Sequence, residues 1–247
     1  MKSMNREGFR YLESPETKTF LVGSFPPILH PTTPPHTVIL GTMPSTTSHA
    51  CCQYYGHPSN VFWWVVGEAL GFRRGGPFPS KPAKDILEGL HQCEDTPELG
   101  YQDQVEALTA AGYVLWDVVR SCRIRNSEDA SIKDKEPNNI RGLLDAVPSI
   151  KRIVFSGKAS AKLFLGMNKA WLNEGSWRLG GGSHTEEVFG KLLKRKHEEQ
   201  LLLMFSAEEG VELSVPVSVS PAAAGVRFQG KREEWLRVVF NQTYNTC

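Results

Sequence analysis

Four short apolar runs punctuate the chain: Val38-Ile39-Leu40, Tyr113-Val114-Leu115-Trp116, Arg152-Ile153-Val154-Phe155, and the stretch from Leu213 to Val219. Each ends on a small, turn-forming or polar group: Gly41, Asp117, Ser156-Gly157 and Ser220-Pro221. Runs of this length bounded by turn signals predict buried strands. Between them the apolar spacing changes to that of a helix. Apolar positions 61, 62, 65, 66, 69 and 70 predict a buried helix closed by Gly71. Weaker patterns predict helices over 83–91, 102–111 (ended by Gly112), from Asn138 or Asn139 to Val147, over 159–167 and over 233–240. Strands alternating with helices imply a three-layer α/β/α domain around a central four-stranded, mostly parallel sheet. In such a sheet all four strand ends share one edge, where a cleft forms.

Three stretches depart from this alternation. Residues 1–36 carry mixed charges and then Pro26-Pro27 and Pro31-Thr32-Thr33-Pro34-Pro35, which predicts an extension without regular structure draped over a domain of residues 37–247. The segment RSCRIRNSEDASIKDKEPN after Val119 reads as a polar, basic loop. Residues 168–212 look inserted, with Gly-rich RLGGGSH followed by a long charged helix expected over 186–205.

Composition narrows the classes. Of 247 residues, 40% are hydrophobic and 22% charged, which suits a folded domain and excludes disorder over most of the length. A net charge of +1 gives no global footprint for nucleic acid, so any DNA surface has to be a local patch. The five cysteines form no CxxC pair and are odd in number, arguing against a zinc site or a disulfide framework. No apolar run approaches the ~20 residues of a membrane-spanning helix. The first residues have no secretory h-region. An intracellular monomer is expected, nuclear in a eukaryote and otherwise cytoplasmic.

The loop after the first strand holds the densest chemistry. Tyr54, Tyr55, His57, Pro58 and Asn60 fall within seven positions, between the turn Gly41-Thr42-Met43-Pro44-Ser45 and the first helix. GTMPS followed by YYGHPSNVFWWV resembles the first motif of the uracil-DNA glycosylase superfamily, in its mismatch-specific and hypoxanthine-specific branches. GYVLWDVVRSCRI resembles the base-contacting strand and loop of that superfamily, and VFSGKASAKLF its next strand and helix. VPVSVSPAAAG resembles its second motif, a loop pressed against DNA. The four motifs stand in order, each at an expected strand end, over about residues 37–240 with 168–212 interrupting. The resemblance implies direct hydrolysis of the glycosidic bond of a deaminated base flipped out of DNA, with no metal and no organic cofactor. At the third motif position the mismatch-specific uracil/thymine enzymes carry a catalytic Asn, where this chain has Met43. A thioether cannot orient a water by hydrogen bonding. In the hypoxanthine-specific branch the Asn of HPxN is thought to serve, here Asn60. The departure therefore points to deoxyinosine ahead of uracil or thymine mismatches. A catalytically inactive relative that binds damaged DNA or a protein partner is the reading from another class.

The resemblance assigns roles, each beside a plainer one. Asn60 would position the water or contact the base, or else cap the helix at Val61. Tyr54 and Tyr55 would wall the base pocket, or pack in the core. His57 would donate to base or phosphate, or brace the loop. The turn from Gly41 to Ser45, with Pro44 within it, would present backbone N–H groups to the leaving base, and Met43 would be a soft wall or pack in the core; Gly41 could instead exist for the turn alone. Asp117 would accept from N1–H of hypoxanthine, or pair with Arg120 or Arg123. Ser156 would line the pocket. Lys158, Ser218, Ser220, Pro221, Arg120 and Arg123 would contact DNA, the serines through phosphate. Arg73-Arg74 and Lys191-Lys194-Arg195-Lys196 are further basic clusters able to supply electrostatic grip, or simply solvated faces.

Overall fold

The computed structural model describes residues 19–90, 95–125, 132–172, 178–179, 205–206 and 211–242. In chain order these form β1 (Thr19–Gly23), β2 (Thr37–Gly41), α1 (Thr46–Cys51), α2 (Phe62–Leu70), β3 (Arg73–Arg74), α3 (Lys84–Gly89), β4 (Glu98–Leu99), α4 (Tyr101–Ala110) and β5 (Tyr113–Asp117). There follow β6 (Val119–Arg125), β7 (Ile132–Pro137), α5 (Ile140–Ala146), β8 (Arg152–Phe155), α6 (Lys158–Leu172), β9 (Arg178–Leu179), β10 (Phe205–Ser206), β11 (Glu212–Ser214) and α7 (Phe228–Val238).

The four expected strands pair in parallel in the order β11-β8-β2-β5. Every residue of β2 and β5 is buried, because helices cover both faces and leave no polar side to the sheet. Successive side chains divide between two cores. Ile39, Leu115 and Val154 pack with α2, α3, α4 and α7, around Phe62, Trp63 and Trp235. Val38, Leu40, Val114, Trp116, Ile153, Phe155 and Leu213 pack with α5 and α6, around Phe164. The chain leaves β2 for β5 on one side and later returns to β8 on the other, so its crossings diverge at the carboxyl end of β2. That divergence opens the crevice where α/β sheets bind ligands.

Five expectations change. The N-terminal stretch is not irregular throughout: β1 pairs antiparallel with β6, Val22 opposite Cys122, and Ile28 bridges Leu115. The presumed basic loop is a β-hairpin of β6 and β7, completing a second sheet in the order β1-β6-β7. Irregular register between Val119 and Arg123 breaks the two-residue alternation that would have revealed it. Helix α6 runs on to Leu172, into the start of the expected insertion, held by buried Asn168 and Leu172. The fourth strand ends at Ser214, short of Val219, and α7 starts at Phe228, ahead of the expected position 233. Most of the long charged helix expected over 186–205 lies outside the described residues; Phe205 itself sits in β10, opposite Leu179.

Candidate active site

At the sheet edge Gly41 and Asp117 are register partners on adjacent strands. The Asp117 side chain is 2% exposed, and its Oδ2 accepts a hydrogen bond from Ser24 Oγ at 3.0 Å. Burial pushes its pKa up to about 7 against the opposing effect of that bond. Pairing with Arg120 or Arg123 does not occur. Arg120 contacts Glu136 at 2.7 Å and Arg123 contacts Asp134 at 3.8 Å, all on the exposed face of the hairpin. Gly41 is more than a turn residue. A Cβ there would lie 2.2 Å from Asp117 Oδ1 and 3.2 Å from the Tyr55 hydroxyl, so both groups converge on one face of the glycine.

Tyr55 adopts a φ of 54°, a left-handed conformation that costs a non-glycine residue about 1 kcal/mol or more. Its ring stacks on Phe62 at a centroid distance of 4.1 Å. Its hydroxyl is buried beside Ser156 and Asp117 without a hydrogen-bond partner of normal geometry. Burial first, and the Asp117 charge second, hold it protonated far above the ordinary phenol range. Tyr54 turns elsewhere: its hydroxyl donates to the carbonyls of Phe25 at 2.9 Å and Pro26 at 3.2 Å. It thereby anchors the N-terminal segment, with its hydroxyl also beside Ser24 and within the field of the Asp117 carboxyl.

Asn60 Oδ1 accepts the Phe62 N–H at 3.0 Å, an Asx-turn bond from the residue before the N-cap Val61, which holds the carboxamide at the mouth of α2. His57 Nδ1 accepts the Ser59 N–H at 3.1 Å, bracing the loop. Ser45 is the N-cap of α1, accepting from Ser48 N–H and donating to Ser48 Oγ, both at 3.1 Å. Ser48 Oγ in turn accepts the Gly56 N–H at 3.1 Å, joining the two halves of the loop. Met43 lies half-buried with its Sδ 3.2 Å from the Cys122 thiol, packing the turn onto β6; Pro44 is half-buried beside it.

Arg74, expected among solvated basic residues, is instead the buried post of this loop. Its terminal nitrogens reach the carbonyls of Tyr55, Gly56, His57, Pro58 and Asn60 at 3.2–3.5 Å. The guanidinium lies 5.4 Å from the Trp64 ring and 5.3 Å from the Phe78 ring. Desolvation lowers its pKa to about 10, which still leaves it charged at neutral pH. A planar fork with several N–H groups suits this work, because one residue can satisfy a whole turn of inward-facing carbonyls.

The second loop, Val215 to Ser220, meets the first through Val61 N–H to Val219 O at 3.1 Å and the β8 turn through Val219 N–H to Ser156 O at 3.2 Å. Ser218 packs so closely on Gly157 that a Cβ there would stand 2.7 Å from the serine Cβ. Ser218 Oγ accepts the Ser220 N–H and Ser220 Oγ accepts the Ala222 N–H, each at 3.2 Å, with Pro221 exposed at the tip. Helix α7 holds the loop from behind. Trp235 Nε1 donates to Val217 O at 2.7 Å, Glu234 accepts from Val217 N–H at 2.8 Å, and buried Lys231 donates to Ser220 O at 2.8 Å. Lys158 opens α6, exposed next to the Ser156-Gly157 turn.

The structure thus brings Gly41, Tyr55, Asp117 and Ser156 together at the sheet edge, with Asn60 and the Ser218–Pro221 loop linked to them by backbone bonds. Sequence reasoning missed Ser24, Arg74 and Lys231. Phe20-Leu21-Val22 before Gly23-Ser24 was a strand-end signature of the same kind as the other four, hidden by the prolines that follow. Nothing in the local sequence marks Arg74 as buried. Among the described residues no group of three or more His, Cys, Asp or Glu is placed to hold a metal ion.

The family model of the uracil DNA glycosylase superfamily matches residues 29–243, so the chain belongs to that superfamily and is a DNA glycosylase. Its fold is similar to that of a Methanosarcina acetivorans protein solved by solution NMR and provisionally named a uracil DNA glycosylase. The TM-score is 0.53 at 24% identity, covering 90% of this chain and 97% of the other. The chain is 33% identical over 138 residues to the hypoxanthine DNA glycosylase of Methanosarcina barkeri, and 30% identical over 138 residues to that of Methanosarcina acetivorans. Each match covers 56% of this chain and 72% of the relative.

Proposed function

We propose that this glycosylase releases hypoxanthine from deoxyinosine in DNA by direct hydrolysis, after the nucleotide has swung out of the duplex. The observation that carries the reading is the convergence of the Asp117 carboxylate and the buried Tyr55 hydroxyl on one face of Gly41, with Ser156 beside the hydroxyl but no hydrogen bond of normal geometry to it. A buried hydroxyl whose hydrogen bonding is incomplete costs about 1–3 kcal/mol, a cost that a bound base edge would remove. Hypoxanthine offers complementary groups, with N1–H to donate and ring nitrogens and O6 to accept. Asp117, titrating near neutrality, is available as a carboxylate acceptor above about pH 7. The relatives named hypoxanthine DNA glycosylase support this base over uracil, whose imide N–H a carboxylate would also accept.

In the reaction the C1′–N9 bond breaks and its electron pair leaves with the base, which gains a proton. A water oxygen bonds to the oxocarbenium-like C1′ and loses its proton. Asn60 is the residue for that water, since its carboxamide is already immobilised by Phe62 N–H. Gly41, lacking a Cβ, lets the Asp117 carboxyl and the Tyr55 hydroxyl pack against it at the sheet edge. The Ser218–Pro221 loop, propped by α7, is suited to gripping the phosphates on either side.

Single-turnover assays on duplexes carrying hypoxanthine, uracil, xanthine or a thymine mismatch test this assignment. Hypoxanthine release by the wild type, reduced by several orders of magnitude in Asn60→Ala and also in Asn60→Ser, is the expected result. Serine caps helices well, so an Asn60→Ser protein of full activity would reduce Asn60 to its capping role. Preferential uracil release would overturn the choice of base, and tight binding without release of any base would make the chain a reader of damage.

A further inference from the structure

Ser24 lies outside the 29–243 span matched by the superfamily model, yet it is the one side chain hydrogen-bonded to the Asp117 carboxyl among the described residues. The bond is built rather than incidental. β1 pairs with β6 along its whole length, and Ser24 N–H donates to Arg120 O at 2.8 Å, fixing the residue just where β5 passes into β6. Downstream, Phe25 O and Pro26 O accept from Tyr54, and Ile28 exchanges both backbone bonds with Leu115 at 2.9 and 3.2 Å. The segment is tied down on both sides of Ser24, by the base-reading strand and by the first-motif loop.

The Ser24 hydroxyl has one proton and two acceptors in reach, Asp117 Oδ2 at 3.0 Å and Phe25 O at 2.9 Å, with the Tyr54 hydroxyl as a further polar neighbour. A hydroxyl so placed can follow the charge of its neighbour, donating to the carboxylate when Asp117 is ionised and to the Phe25 carbonyl when Asp117 carries a proton. We infer that Ser24, and through it the N-terminal strand, is a positioning element of the base pocket that orients the Asp117 carboxyl and keeps it ionised for hydrogen bonding to the base. The inference rests on Asp117 being the base-reading group.

The groups facing Asp117 leave this work to Ser24. On β2 there is only Gly41. From the first loop come the Tyr54 and Tyr55 hydroxyls, both held protonated by burial and by the Asp117 charge. Arg120 and Arg123, on the adjoining strand, are directed to Glu136 and Asp134. Asn138 Nδ2 donates to the Asp117 backbone carbonyl rather than to the carboxyl.

The test follows the Asp117 carboxyl by carbon-13 NMR of the full chain and, separately, the pH dependence of single-turnover hypoxanthine release. In Ser24→Ala the Asp117 midpoint should rise by about one to two pH units, and the acid limb of the rate profile should rise with it. Ser24→Thr, which keeps the hydroxyl, should restore both. A Ser24→Ala midpoint equal to that of the wild type would overturn the role of Ser24, whatever the enzyme's activity. A midpoint that moves while the rate profile stays fixed would retain the Ser24–Asp117 coupling but overturn the use of Asp117 to read the base.

Discussion

The two loops that meet at the sheet edge are fixed by opposite strategies. The first, Tyr55 to Asn60, hangs from a single buried cation: Arg74 reaches five of its carbonyls and is itself boxed by Trp64 and Phe78. The second, Val217 to Ser220, is held at separate points by Lys231, Glu234 and Trp235 of α7, and by backbone bonds to Ser156 and Val61. One hub concentrates risk in one residue. Spaced supports share it. The first loop needs the hub because it carries strain, at Tyr55, and must hold that tyrosine's hydroxyl beside Asp117. The second is suited to a surface that adapts to a DNA backbone.

The largest effect should therefore follow from Arg74→Met. It leaves several inward carbonyls without a donor at once and should cost on the order of 3–5 kcal/mol in thermal or urea unfolding, with excision lost at temperatures where the variant stays folded. A variant within 1 kcal/mol of the wild type would show that the hub is dispensable. Next in size is the effect of Asp117→Asn, because the pocket that the first loop encloses holds this carboxyl at a cost. Its folded-state pKa of about 7 lies above the ordinary 3.8. The native state thus binds the proton more tightly than the unfolded chain, and stability falls as pH rises from about 4 to about 7. Asp117→Asn, which does not titrate, should be more stable than the wild type at pH 8 by up to about 4 kcal/mol, with the gain vanishing by pH 4. Equal stability at both pH values would contradict the burial argument.

Smaller changes probe the second loop. Lys231→Met removes one support at Ser220 O and should cost about 1–2 kcal/mol, raising the DNA concentration needed for half-maximal rate more than it lowers the maximal rate. A loss as large as that of Arg74→Met would erase the contrast between the loops. Glu234→Gln retains an oxygen for Val217 N–H and should change stability by less than about 0.5 kcal/mol.

The contrast also bears on what can be read without coordinates. Of the four parallel strands, Glu212–Ser214 was placed but its end was not, because the apolar alternation runs on past it to Val219. The other three were legible because burial on both faces leaves apolar runs, and their ends at Gly41, Asp117 and Ser156 follow from parallel topology. The helix after Asn60 was legible for the same reason. The antiparallel sheet was not. Strands β6 and β7 are polar and charged, the irregular register of β6 breaks their alternation, and their apolar partner β1 lies in an N-terminal segment whose prolines pointed away from regular structure. Arg74 shows the deeper limit. An arginine beside Gly75-Gly76-Pro77 looks like any surface turn, and only the three-dimensional path of residues 55–60 turns its guanidinium into a core residue. Ser45 was expected in the pocket from its motif position, and its side chain was not legible as the cap of α1.

The most direct measurement of the central claim is single-turnover release of free hypoxanthine from a duplex carrying one deoxyinosine, by the wild type and by Asp117→Asn, each shown to be folded by its melting curve. The account predicts release by the wild type and a loss of at least a hundredfold in the variant despite its greater stability at pH 8. Full activity in Asp117→Asn, or no hypoxanthine release by a folded wild type, would contradict it.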